Sequence, residues 1–428
     1  MSLQRHLLAP IVLALTAAAA QAQTAGDADL ARRVDQLAAE LNALKAQLAA
    51  QQAAQQAAQQ AAQQAQAAAP AAPAAPAAGS EASTVLTSYG EINYNRPTRR
   101  TQDTQADVRR FVLGYQHRFD EKTRVVTELE VEHAVSSADD AGEVEVEQAY
   151  LERQLTPAWA LRAGLFLMPV GLLNENHEPT AFYGVERNFV ETAIIPSTWR
   201  EGGVQFVGTL GEGITVQTGL GTGFDLNKWD ASSSEGRESP LGAVHQEMSL
   251  AKARDLSWFG AVNWRGVPGL LLGGSVFSGG ATQGQAVASA RVTLWDLHAR
   301  WTPGRWDLSA LYTRASISNT AALNTPLVGG DTLIPATFDG GYVQAAYQLW
   351  RSGDLALSPF VRWERFNTAR SFAELGAGLT PAAQAAEKVV TAGANLAFGN
   401  GLVLKADVQR FSRDSDNNRF DLGLGWSF

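Results

Sequence analysis

The sequence predicts an all-β protein, a transmembrane antiparallel β-barrel of about 16 strands. Three observations carry this. From Thr84 to Phe428, period-2 segments of about ten residues recur between Gly-, Pro-, Asn- and Asp-rich turns. Ten residues is the length a tilted strand needs to cross a bilayer. Hydrophobic residues make up 45% of the chain and charged ones only 18%, with 39 Gly, 11 Trp and 17 Phe. That mixture suits a barrel in which alternate residues face lipid.

Four segments follow in order. Residues 1–22 read as a signal peptide: Arg5 supplies a positive start, Leu7–Ala20 an apolar core, and Ala20-Gln21-Ala22 a cleavage site. The alternative is an uncleaved anchor. Residues 23–66 read as a periplasmic helical stalk. Leu30, Val34, Leu37, Leu41, Leu44 and Leu48 are spaced 4, 3, 4, 3, 4, a coiled-coil heptad pattern, and the QQAAQQAA run after it favours helix but offers no large apolar seam. The alternative is a single frayed helix or a tether. Residues 67–83 form an Ala/Pro-rich linker, which favours extended polyproline II. Residues 84–428 are the barrel domain. Strand centres are expected near 90, 113, 128, 149, 163, 206, 217, 260, 273, 296, 310, 346, 361, 393, 406 and 423.

The last strand shows the alternation most clearly. Phe420, Leu422, Leu424, Trp426 and Phe428 share one face, with Arg419, Asp421, Gly423, Gly425 and Ser427 on the other. Phe428, ending an amphipathic strand, is similar to the assembly signal read by outer-membrane assembly machinery. Tight connections such as TPGR and GNG alternate with longer loops near 171–201, 223–255, 317–340 and 368–386. Short turns on one rim and long loops on the other is an outer-membrane layout. Tyr89, Tyr94, Tyr115, Phe119, Trp159, Trp264, Trp301, Trp306, Trp350 and Trp426 are candidates for interfacial girdles. The competing architecture is a soluble β-sandwich or propeller.

Composition excludes several functions. A net charge of −9 argues against nucleic acid as a partner. The absence of cysteine removes disulfides, zinc–thiolate sites and iron–sulfur clusters. The six histidines form no HExxH, and there is no GxSxG elbow or P-loop. Neither enzyme activity nor a cofactor is expected.

The segment 165–204 is unusual. It is long, irregular and dense in polar groups, yet interleaved with Phe182, Tyr183, Phe189, Ile194, Ile195 and Trp199. A loop of this length is either functional or disordered, and the apolar residues argue that it packs, most naturally inside the barrel. The candidate constriction residues are Asn174, Glu175, His177, Glu178, Glu186, Arg187, Glu191, Arg200 and Glu201. Glu175 with His177 and Glu178 suits a divalent cation or ordinary loop hydrogen bonding.

The stretch PVGLLNENHEPTAFYGVERNFVETAIIPSTWREGG resembles the corresponding part of the phosphate-selective porin O and P family. The resemblance implies a homotrimer of sixteen-stranded barrels, in outer-membrane lipid, with inward-folded loops narrowing an anion pore. It does not cover the stalk or the linker. Its phosphate part needs converging Arg and Lys. Residues 171–201 hold two arginines against five glutamates, and 84–428 carries 30 basic and 38 acidic residues. On the expected inner wall, Arg110, Arg118, Arg124, Arg162, Arg300, Arg362 and Arg419 are placed to steer anions, and Glu128, Glu130 and Glu132 to favour cations. The alternative is that the arginines pair with neighbouring carboxylates. The reading is an outer-membrane porin for passive diffusion of small hydrophilic solutes or ions, with 171–201 as the constriction. The alternative is an outer-membrane anchor tethered through its stalk.

Overall fold

The structure is a computed structural model that describes residues 83–137, 141–285 and 287–428. The signal peptide, the stalk and all of the linker but Ser83 lie outside the described residues.

Sixteen antiparallel strands close into one barrel. They are β1 (Ser83–Pro97), β2 (Gln105–Arg118), β3 (Thr123–Glu132), β4 (Val144–Thr156), β5 (Trp159–Leu167), β6 (Arg200–Leu210), β7 (Ile214–Gly221) and β8 (Ser257–Trp264). The second half comprises β9 (Leu270–Gly280), β10 (Arg291–Trp301), β11 (Trp306–Ile317), β12 (Thr337–Tyr347), β13 (Leu355–Ser371), β14 (Glu387–Phe398), β15 (Leu402–Phe411) and β16 (Arg419–Ser427). A three-residue piece, Trp350–Ser352, continues β12 along the start of β13. Each strand pairs with its sequence neighbour, and β16 returns to β1, from Tyr89 opposite Ser427 to Pro97 opposite Arg419. Closure leaves no free edge, which a bilayer would not tolerate. Each expected strand centre falls inside its strand.

Alternation sets the two faces. Outward positions carry Leu113, Leu129, Val204, Phe206, Val262, Leu297, Val361, Trp363, Leu404 and Leu422, all well exposed. Such a belt is stable only against lipid. Phe119, Trp301, Trp306 and Trp350 are exposed at the short-turn rim and form a girdle there. Tyr89 departs from the expected girdle. It faces inward and is buried, because it has polar partners inside the barrel.

The lumen is not uniformly polar. Towards the long-loop rim, Phe277, Val292, Leu294, Ala315, Ile317 and Phe338 face inward from β9–β12 and are fully or nearly fully buried. What covers them is the loop after β5. Val190, Ile194, Ile195 and Trp199 lie in the same apolar cluster. The Trp199 ring stands 4.7 Å from Phe277 and 5.1 Å from Phe224. Burying a side chain of this size contributes about 1.5–3 kcal/mol, so this cluster fixes the loop to one wall of the barrel.

Candidate functional site

The site is the segment between β5 and β6 together with the inward groups it meets. Asn174 ties its two ends together. The amide of Asn174 donates to the carbonyls of Met168 (2.8 Å) and Trp199 (2.7 Å), and its oxygen accepts from Trp199 N (2.7 Å). Gly171 makes the first turn with φ 73°. Only glycine fits there, because a Cβ would stand 2.5 Å from the Glu191 carboxylate.

Glu191 is the central staple. Its Oε2 accepts from the backbone N–H groups of Leu172 (2.8 Å) and Leu173 (2.7 Å). Its Oε1 accepts from Asn188 (3.1 Å) and from the Tyr342 hydroxyl on β12 (2.8 Å). Burial raises the Glu191 pKa above the usual carboxylate range, while these bonds act to lower it. Four donors converging on two oxygens suit the ionised carboxylate.

From there the loop reaches the rest of the wall. Phe189 N donates to Glu364 on β13 (2.6 Å), and Val185 N to Asp407 on β15 (2.7 Å). Asn395 on β14 donates to the Phe182 carbonyl (3.1 Å), and Thr180 meets Ser427 on β16 (2.7 Å). Asn93 and Asn95 on β1 donate to Glu186. Burial pushes the Glu186 pKa up, but Arg419 and Arg109 outweigh it, so the value is lowered. Glu175 accepts from Gln217 on β7 (2.9 Å), and burial raises its pKa. Glu178 is half-buried near Glu128.

His177 makes the tightest junction. Its Nδ1 lies 2.9 Å from the Asn174 carbonyl, and its Nε2 lies 2.8 Å from Glu147 on β4 and 2.6 Å from the Tyr89 hydroxyl. Tyr89 donates in turn to the other Glu147 oxygen (2.6 Å). Burial would lower the His177 pKa; Glu147 outweighs it and raises the value, which suits an imidazolium donating from both nitrogens. Glu175 and His177 thus have hydrogen-bond partners on the wall, and among the described residues no group of three or more His, Asp or Glu is placed to hold a metal ion.

Arg187 is a buried cation. It donates to Ser197 (2.6 Å) and Thr198 (2.9 Å), while its Nε and second Nη have no acceptor. Burial and Arg110 lower its pKa to about 10. Arg200 and Glu201 are not loop residues: they begin β6. Arg200 pairs with Glu145 and with Glu247 (2.9 Å), and Glu201 accepts from Trp199 Nε1 (2.9 Å) and from Thr222 (2.5 Å).

The inner-wall arginines are largely paired. Arg110 reaches Glu91 (2.8 Å) and Glu130 (3.6 Å). Arg124 (2.7 Å) and Arg162 (2.8 Å) share Glu152. Arg300 forks onto Asp307 (3.0 and 2.7 Å). Arg362 holds Glu364 (3.0 Å) and donates to the Tyr183 carbonyl (3.2 Å), and Arg419 meets Asp421 (2.9 Å). Arg118 is exposed at the short-turn rim and Glu132 half-buried at the end of β3. Glu128 accepts from Gln148 (2.6 Å).

Several wall groups that hold the loop escaped the sequence reading: Tyr89, Glu147, Tyr342, Glu364, Lys405 and Asp407. Lys405 is buried with its ammonium 3.5 Å from the centre of the Phe182 ring, a cation–π contact. Alternation places Lys405 and Asp407 on the inner face. Which loop atom each one meets is a matter of tertiary packing.

Space remains beside the loop. A cavity of about 410 Å³ is lined by Leu172, Tyr183, Arg265, Arg300, Tyr342 and Arg362 among others, with no carboxylate in its lining. A second, of about 240 Å³, shares Tyr183 and Arg300. A third, of about 490 Å³, is lined by Arg100, Phe189, Glu238, Phe411 and Arg419.

No family model matches the chain. A protein of Aquifex aeolicus (strain VF5), described as uncharacterized, is 26% identical over 354 residues, 80% of this chain and 79% of that one. Among solved structures, Salmonella typhi OmpF in complex with daunomycin superposes with a TM-score of 0.56 at 14% identity, over 81% of this chain and 97% of that one. The outer membrane channel DcaP of Acinetobacter baumannii gives 0.52 at 15%, over 84% and 100%. An anion-selective porin from Comamonas acidovorans gives 0.51 at 11%, over 81% and 100%. At these identities the likeness is one of backbone architecture: the chain has the fold of the outer-membrane porins.

Proposed function

We propose that the protein is an outer-membrane porin through which small hydrophilic solutes and ions diffuse passively, and that the loop between β5 and β6 is its constriction. The observation that carries this reading is the loop's path. It bonds to inward groups of β1, β4, β7, β12, β13, β14, β15 and β16, so it crosses the lumen rather than leaving it open. A barrier held at many points sets a fixed bore, as a diffusion channel requires.

Anions are the favoured cargo, phosphate among them. Support comes from the cavity beside Tyr183, where Arg265, Arg300 and Arg362 line the space and no carboxylate does. Guanidinium groups exchange hydrogen bonds with an oxyanion as it sheds water. Pairing of Arg300 and Arg362 with Asp307 and Glu364 weakens that field, which points to modest selectivity rather than tight binding. A homotrimer in outer-membrane lipid, delivered by the assembly machinery that reads Phe428, fits this reading, as does an N-terminal stalk in the periplasm.

The test is the single-channel reversal potential of the purified protein across a KCl gradient. Conductance steps with an anion-selective potential are expected, reduced in sign or size by Arg265→Glu. A cation-selective potential would refute the anion assignment. Absence of steps would refute the channel.

A further inference from the structure

The outer wall carries a feature that a channel does not need. Across the outward positions of β10–β14, Asp339 is the sole carboxylate, whereas Arg291, Arg314, Arg365 and Lys388 all face outward near the long-loop rim. Asp339 has no exposure. It is held by Arg365 (3.1 Å), by Arg370 and by the Tyr312 hydroxyl (3.1 Å). Arg314 is its cross-strand partner on β11, and Lys388 stands opposite Arg365 on β14. One carboxylate thus organises two guanidinium groups beside two further cations, and the cluster keeps a net positive charge.

Directly towards mid-membrane from this cluster lies an apolar groove of about 540 Å³ on the same outer face. Leu297, Tyr312, Val343 and Trp363 form its sides, and Ala310 and Gly341 its floor. Tyr312 and Arg365 belong to both features, so cationic head and apolar groove are continuous. Arginine in a fixed fork matches phosphate oxygens bidentately, and basic groups at a membrane surface attract anionic headgroups.

We propose that this face binds a phosphorylated lipid, with its phosphate on Arg314, Arg365, Arg370 and Lys388 and an acyl chain in the groove. The long-loop rim faces the outer leaflet, so the occupant is the bisphosphorylated acylated glucosamine disaccharide of that leaflet, lipid A. The inference rests on the transmembrane barrel and not on the channel reading.

The test is native mass spectrometry of the full-length protein in detergent, titrated with lipid A, dephosphorylated lipid A, phosphatidylcholine and inorganic phosphate. Lipid A is expected to bind about tenfold or more tightly than its dephosphorylated form. Arg314→Ala with Lys388→Ala should remove that advantage while leaving the Asp339 bonds intact. Ala310→Leu should weaken lipid A by filling the groove, and Arg96→Ala, exposed on β1, should change nothing. Heat-modifiable migration in gels checks that each variant folds, independently of conductance. Equal binding of the dephosphorylated form, full competition by inorganic phosphate at equal concentration, or unchanged affinity in both variants would overturn the proposal. So would loss of a protein oligomer in the variants with no change in lipid bound, which would make this face a contact between copies.

Discussion

Replacing Glu191 with alanine should release the loop from the wall. In the native protein its carboxylate satisfies two backbone N–H groups, one side-chain amide and the Tyr342 hydroxyl, all in the interior. A buried donor left without a partner costs about 1–3 kcal/mol. Four donors set an upper bound, since water entering the vacated space satisfies some of them. With two of the four left dry, the loss in docking free energy is about 2–6 kcal/mol. At 1.4 kcal/mol per decade it shifts the docked-to-released ratio by roughly one to four orders of magnitude. Glu191→Gln keeps the volume but turns an –NH2 towards a donor, so it should fall between alanine and the native protein. Single-channel recording reads the effect as larger and noisier conductance, and limited proteolysis reads it as new cleavage within 172–189. The barrel itself should keep its heat-modifiable migration, because no strand-to-strand bond involves Glu191. Native conductance together with native protease resistance in Glu191→Ala would refute the staple.

Two further outcomes test other parts of the site. The folded-state pKa of His177 is raised, so its contribution is complete below the ordinary imidazole value and is lost as pH rises through the elevated one. Loop protection against protease should therefore weaken on the alkaline side of about pH 6.5, and His177→Gln should abolish that pH-dependent part; a flat profile for the native protein would refute the imidazolium junction formed with Tyr89 and Glu147 and opposed by Arg187 and Arg110. Phe428 exchanges two backbone bonds with Ser88 (3.0 and 2.9 Å), while its ring is 79% exposed. Phe428→Ser keeps those bonds, so the unfolding free energy of the refolded barrel should move by no more than an exposed substitution allows, about 0.5 kcal/mol; its assembled fraction in cells should drop several-fold, and unchanged assembly would refute the signal role.

The sequence by itself determined the barrel. Strand number, the two rims and the long loops were legible because each depends on local pattern: period-2 alternation, turn residues and segment length. In β15 the alternation of residue types puts Lys405 and Asp407 on one face, and in the folded barrel both are buried inside. Alternation also separated the outward Leu and Val belt from the inner charges. The resemblance at 169–203 drew attention to the loop, although its end, from Arg200 to Gly203, belongs to β6.

Only the tertiary structure decided what the loop does with its polar groups. Its glutamates read as a negative constriction, yet Glu191 and Glu186 spend their oxygens on donors of the loop and the wall. Those partners lie as far as 151 residues away, as between Tyr342 and Glu191. Nor does a strand's alternation reveal which carboxylate neutralises which arginine, as in the sharing of Glu152 by Arg124 and Arg162. Such pairings depend on register between strands and on how far a side chain reaches across a closed lumen. Tyr89 makes the same point. Its place near a strand end suited an interfacial girdle, but the inner partners Glu147 and His177 exist only once the barrel has closed and the loop has folded in.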